Sequence, residues 1–155
     1  IDMGLFGPSK GTAESAIKLV HEFLQELGLN PNVCLVDDND QWTTWTCQCG
    51  SAIIYISVCK DPDNSVLAMR SPIVKLPATE KVEPLLRYCM EKNDNHIVSL
   101  SLQDDIINVI SVRPLEALDQ EEVQFIFNNV SGFADDWDNE LAEKFGCEMI
   151  GEDPV

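Results

Sequence analysis

A chain of 155 residues, 45% apolar and 24% charged, is long enough for one domain with a hydrophobic core of its own. Its 27 acidic residues against 10 lysines and arginines leave a formal net charge of −17. A field of that sign repels phosphate and anionic lipid, so nucleic-acid and membrane-surface partners are disfavoured, and no apolar run approaches the ~20 residues of a membrane span.

Residues 1–11 hold three glycines and a proline and read as a lead-in, with Met3 as the native start and Ile1-Asp2 as a cloning remnant. Residues 12–150 read as a single domain and 151–155 as a tail. No basic segment followed by an apolar stretch marks a secretion signal, so the expected compartment is the cytoplasm. Met3-Gly4 is not a myristoylation start, because the sixth motif position is Pro8. Cys34, Cys47, Cys49, Cys59, Cys89 and Cys147 are then expected to be reduced, most of them as small core residues.

Thr12 is an N-cap, and Ala13, Ala16, Ile17, Val20, Phe23, Leu24 and Leu27 recur on one helical stripe. Gly28 and Pro31 stop it. The period then changes. Asn32–Val36 is short and apolar, and Asp37-Asp38-Asn39-Asp40 reads as a turn. Gln41–Cys49 and Ser51–Cys59 are rich in Thr, Trp, Cys and β-branched residues and read as strands. Asp61-Pro62-Asp63-Asn64 turns the chain into a further strand, Val66–Leu76, in which Pro72 implies an edge position or an interruption. Together these form an antiparallel meander.

Val82, Leu85, Leu86, Cys89 and Met90 give a second helical stripe, ended by Asn93-Asp94-Asn95. Pro84 places the helix start near Glu83 or sets Thr79–Glu83 apart as a separate first turn. His96–Gln103 and Ile106–Arg113 form a hairpin around Asp104-Asp105. Asp119 caps the last helix with Glu122 as its capping-box partner, and the stripe runs from Val123 to Phe145 before Gly146. The expected fold class is α+β: an antiparallel sheet of five to six strands packed with three helices, in the order helix, meander, helix, hairpin, helix.

Motifs for chemistry fail one by one. His21-Glu22 opens an HExxH frame whose fifth position is Gln25, and Gly7–Thr12 has the wrong order for a phosphate loop. The Asp38 and Asp61 runs lack the Gly and Glu that a calcium loop needs. Cys47, Cys49 and Cys59 are a loose zinc set without paired CxxC knuckles. No catalytic residue, metal or cofactor is therefore assigned.

Pro77, Leu85-Leu86 followed by Asn93, the Asp104-Asp105 hairpin tip, Pro114-Leu115 and Ala134-Asp135-Asp136-Trp137 within the last helix carry a further likeness. In these features the chain resembles the YbjN family, whose fold is similar to that of the type III secretion chaperones. The resemblance implies a noncatalytic protein-binding module, chaperone-like or regulatory, that binds segments of partner proteins as a homodimer. A small-ligand or enzymatic domain is the alternative, and a subunit of a larger assembly a third reading. The meander departs from the chaperone pattern in offering four strand candidates instead of three.

Two residues stand out as partner- or dimer-binding candidates. Trp42 lies on the opposite face of its strand from Trp45, so both cannot enter a one-sided core. Phe125 lies about 160° from the centre of its helical stripe, among Glu121, Glu122, Asn128 and Asn129. The acidic surround is expected to favour basic or amphipathic partner segments.

Overall fold

The computed structural model describes residues 11–151, so nearly all of the expected lead-in and tail, and Met3 with them, lie outside the described residues. In chain order the elements are α1 (Ala13–Glu26), α2 (Pro31–Cys34), β1 (Leu35–Asp38), β2 (Trp42–Cys49), β3 (Ala52–Cys59), β4 (Val66–Lys75), α3 (Thr79–Lys92), a 3₁₀ turn (Asn93–Asn95), β5 (Ser99–Gln103), β6 (Ile106–Pro114) and α4 (Gln120–Phe145). The six strands form one antiparallel sheet in the order β1-β2-β3-β4-β6-β5. Helices α1 and α4 pack on one face of it, and the class is α+β as the sequence predicts.

The first helix is fixed at both ends. Thr12 Oγ1 accepts the Ser15 N–H at 3.1 Å, and Ser15 Oγ accepts the Thr12 N–H at 3.1 Å, which satisfies two otherwise orphaned donors. Gly28 follows with φ +76°, the left-handed turn that glycine adopts without strain. Between these ends Val20, Phe23 and Leu24 are buried, as the stripe requires.

Pro31 does more than stop this helix. Asn30 Oδ1 accepts the Asn32 N–H at 3.0 Å, and Pro31 opens α2 at a position where a missing N–H costs nothing. The apolar run expected as one short strand is thus split between α2 and β1. Asp37 and Asp38, expected in a turn, belong to β1 instead. The reversal falls on Asn39, whose Oδ1 accepts the Gln41 and Trp42 N–H groups at 2.8 and 2.9 Å.

Pro72 interrupts rather than marks an edge, because β4 lies between β3 and β6. Pairing with β3 stops at Tyr55↔Arg70, and the register with β6 shifts between Pro72 and Val74. Beyond that point the segment after α4 supplies the missing partners. The Ile150 N–H donates to the Ile73 carbonyl at 2.8 Å, and the Lys75 N–H to that of Glu148 at 2.9 Å.

Helix α3 runs unbroken from Thr79 through Pro84. The proline sits in the second turn, so one N–H bond is lost while the exposed Glu80 carbonyl stays near water. At its end Asn93 forms two bonds to one residue: Leu100 N–H to Oδ1 at 2.7 Å, and Nδ2 to the Leu100 carbonyl at 3.1 Å. This ties α3 to β5. Asp104 and Asp105, with φ +47° and +63°, make the tight hairpin turn that matches strand twist. Asp119 and Glu122 form the expected capping box, and Glu122 also accepts Arg113 Nη2 through both oxygens at 2.8 Å.

Leu24 is fully buried among core residues of α1, α4 and the sheet. Leu24→Ala should lower unfolding stability by about 2–5 kcal/mol, whereas Leu27→Ala at the 44%-exposed helix end should cost well under half of that. Urea titration followed by tryptophan fluorescence checks the contrast.

Candidate protein-binding surfaces

Strands β2 to β6 turn alternate residues toward the helices, and the remaining residues form a second face on which no described helix packs. The register aligns Thr46, Tyr55, Arg70, Ile110 and Ser99 as one row across it, and Thr44, Ser57, Ala68 and Val112 as the next. Trp42 pairs with Cys59 at the end of the same face. Most of these side chains are half-buried by their neighbours, and Val112 is 55% exposed. None of the outward positions of β2–β6 is acidic, and the charged residues among them are Arg70 and, at the end of β4, Lys75, which pairs with Glu148. Asp37, opposite Thr44, brings the first carboxylate at the β1 edge.

Trp42 therefore lies where strand alternation places it, half-buried on the open face. Phe125 is 58% exposed on the side of α4 turned away from the sheet. The sheet and the helix layer separate the two, so they do not form one patch. Sequence reasoning missed Val112. The signal was there: Ile106 to Val112 is apolar at alternate positions on both faces of one strand, which a one-sided core does not need.

A second apolar surface runs along α3. Val82, Leu86 and the exposed Met90 line an open trough with Glu83, Arg87 and Glu91 beside them, while Leu85 and Cys89 face the core. A third lies at the β1 edge, where Leu27, Val33, Leu35 and Val36 are all exposed.

Helix α3 is held against α4 by charge as well as packing. Lys92 Nζ donates to Glu140 Oε2 at 2.8 Å and stands 5.3 and 5.1 Å from the Tyr88 and Trp137 ring centres. The Tyr88 hydroxyl donates to Glu140 Oε1. Burial by itself would raise the Glu140 carboxyl, but the bonds from Lys92 and Tyr88 outweigh it and hold the group below its ordinary value.

The residues tested for chemistry are occupied otherwise. The His21 ring meets Trp45 edge-on at 5.4 Å, and His96 packs on Phe133 and Trp137 at 5.0 and 5.1 Å. Cys49 pairs with Ala52 and Cys59 with Trp42, at opposite ends of β3, so the loose zinc set is not brought together. Among the described residues no group of three His, Cys, Asp or Glu could hold a metal ion. Burial pushes the Cys47 and Cys89 thiols up to about 11, which leaves little thiolate near neutrality. No helix of the described chain is long and apolar enough to cross a membrane.

A lowered folded-state value means that Glu140 contributes stability above the unfolded carboxylate range and loses it as pH falls through its own value. Glu140→Gln should therefore be less stable than wild type near neutrality, by at most about 1 kcal/mol for this partly exposed pair. The difference should vanish in acid. Denaturant titrations across a pH series test the sign.

No family model matches the sequence, and no curated protein is similar to it at a significant level. Solved structures do superpose on it. A chain of the ExsC–ExsE complex matches with a TM-score of 0.62 at 10% identity, covering 82% of this chain and 93% of that one. A chain of the Yersinia pestis type III secretion chaperone SycH in complex with a stable fragment of YscM2 matches at 0.52 with 14% identity, over 77% and 96%. YbjN from E. coli superposes at 0.47 with 12% identity, over 86% and 95%. These superpositions show that the chain has the fold of solved type III secretion chaperones.

Proposed function

We propose that this chain is a noncatalytic protein-binding module, chaperone-like or regulatory, that holds segments of partner proteins in the cytoplasm. The observation that carries the reading is the open sheet face. A chain with net charge −17 that leaves five adjacent strands without one outward carboxylate presents a surface suited to apolar contact. The shared fold supports it, since structures with that fold are solved as complexes with other proteins. The trough along α3 is lined by one helix and is open, unlike the concave site with converging polar groups that a small ligand needs.

The resemblance also brings a homodimer with it, and the α3 stripe supports that part. Val82, Leu86 and Met90, flanked by Glu83, Arg87 and Glu91, offer apolar and mixed-charge contacts that an antiparallel copy of the same helix can match. Met90→Glu should shift the sedimentation coefficient from dimer to monomer with little change in the thermal transition.

A photo-crosslinking residue placed at position 112, and separately at 125, tests the binding role in native cells. Position 112 should give protein adducts identifiable by mass, and Trp42→Asp should reduce them in the folded protein. Absence of adducts at 112, at 125 and at an additional probe at 90 would overturn the reading.

A further inference from the structure

Six cations of this acidic chain are paired: Lys18, Lys60, Lys75, Arg87, Lys92 and Arg113 each stand within 4.0 Å of a carboxylate oxygen. Among the described residues Arg70, Lys81 and Lys144 are not. Of these Arg70 is the one on the sheet: it lies on β4, near the middle of the open face, and no described carboxylate is within ion-pair distance of it. Asp104 lines the same shallow depression but stands beyond that distance. What does touch Arg70 is neutral and orienting. Its Nη1 donates to Gln103 Oε1, and its guanidinium carbon lies 5.7 Å from the Tyr55 ring centre. One bond engages one of five N–H donors. Pro72, Ile106 and Asn108 complete the depression around the others.

We propose that the open sheet face takes an extended, mainly apolar segment of a partner protein, anchored by one carboxylate of that segment on Arg70. This rests on the protein-binding reading above and adds the chemistry of the bound segment. A planar guanidinium held by a neighbouring amide and a ring is organised in advance for two parallel bonds to a carboxylate. The groups in contact with Arg70 are neutral, and Asp104 stands farther off at the hairpin tip, so the pairing there is stronger than at an open charged surface. A second copy of the chain fits the face poorly. A two-fold contact would set strands without outward carboxylates on themselves and enclose two guanidinium groups that have no carboxylate within ion-pair distance. A basic segment, which the overall field attracts, meets a like charge at this spot. A strongly acidic segment is repelled by the rest of the molecule. An apolar segment with a single acid satisfies both conditions.

The test is selection of short random peptides displayed on phage against the full chain, with counter-screening on Arg70→Gln. The enriched peptides should share one Asp or Glu among apolar and β-branched residues. In a synthetic copy, Glu→Gln at that position should weaken binding to wild type about tenfold, the scale of a charge-assisted hydrogen bond. The same change should make no difference to Arg70→Gln. Amide shifts on binding should centre on Thr46, Tyr55 and Ile110. Arg70→Lys keeps the charge without the fork and should retain part of the preference, which preserves the test if the Gln variant does not fold. Enriched peptides with no shared acid, equal binding to Arg70→Gln, or crosslinks between the Val112 positions of two copies would each overturn the proposal. Acid-free peptides that bind at α3 or the β1 edge would defeat it while leaving the protein-binding role intact. Failure of any peptide to enrich would count against both.

Discussion

A strand has two sides, and in this chain helices fill only one. Helices α1 and α4 bury the side of the sheet that carries Trp45, Ile54, Ile56, Leu67, Met69 and Val109. Because the side-chain period in a strand is two, every residue between those positions is committed to the other side. The exposure of Val112, the half-burial of Trp42 and Tyr55, and the setting of Arg70 all follow from that commitment. A slip of one residue in any strand would exchange its two sides, which is why the register and the surface cannot be considered apart.

Charge and fold act on different scales here. The net charge of −17 governs what approaches from a distance, and salt screens it within about 8–10 Å at ordinary ionic strength. The open sheet face departs from that field, since none of its positions on β2–β6 carries a carboxylate. Carboxylates are gathered where backbone turns and helix ends can use them: Asp104 and Asp105 at a hairpin tip, Asp119 and Glu122 at a helix N-terminus, Asp61 bonding the Asp63 N–H at 3.0 Å. Local backbone chemistry, not only solvation, thus accounts for part of the acidic composition.

Helix α3 is the least embedded of the three long helices. Only Leu85 and Cys89 of its 14 residues are buried, and the Asn93 bonds to Leu100 and the Lys92–Glu140–Tyr88 group do much of the attachment. Polar attachment of this kind leaves an apolar stripe free on the outer side. An element fastened by few buried apolar contacts is also one that opens at low free-energy cost.

Much of the fold was legible in the sequence. The Thr12 and Asp119 caps, the period of α1 and α4, the Asp104-Asp105 turn and the split of Trp42 from Trp45 all rest on neighbours within a few residues, and such signals survive in one dimension. What was left open or misread has a common origin. Pro31 follows the stop of α1 as expected, but its further role as a helix opener depends on Asn30 bonding ahead of it. Pro72 left edge and interruption both open, and the interruption holds because the segment that replaces its lost pairing, Glu148–Ile150, arrives from far along the chain. Asp37 and Asp38 looked like a turn because acidic pairs favour turns unless a neighbouring strand pairs with them. By itself the sequence determined the elements, their order, the acidic field and the two-sided apolar character of the strands. Which side the helices would cover, and that Trp42 and Phe125 would end on opposite sides of the molecule with Arg70 unpaired between neutral neighbours, only tertiary structure decided. Those outcomes depend on contacts between residues dozens of positions apart, and no local period records them.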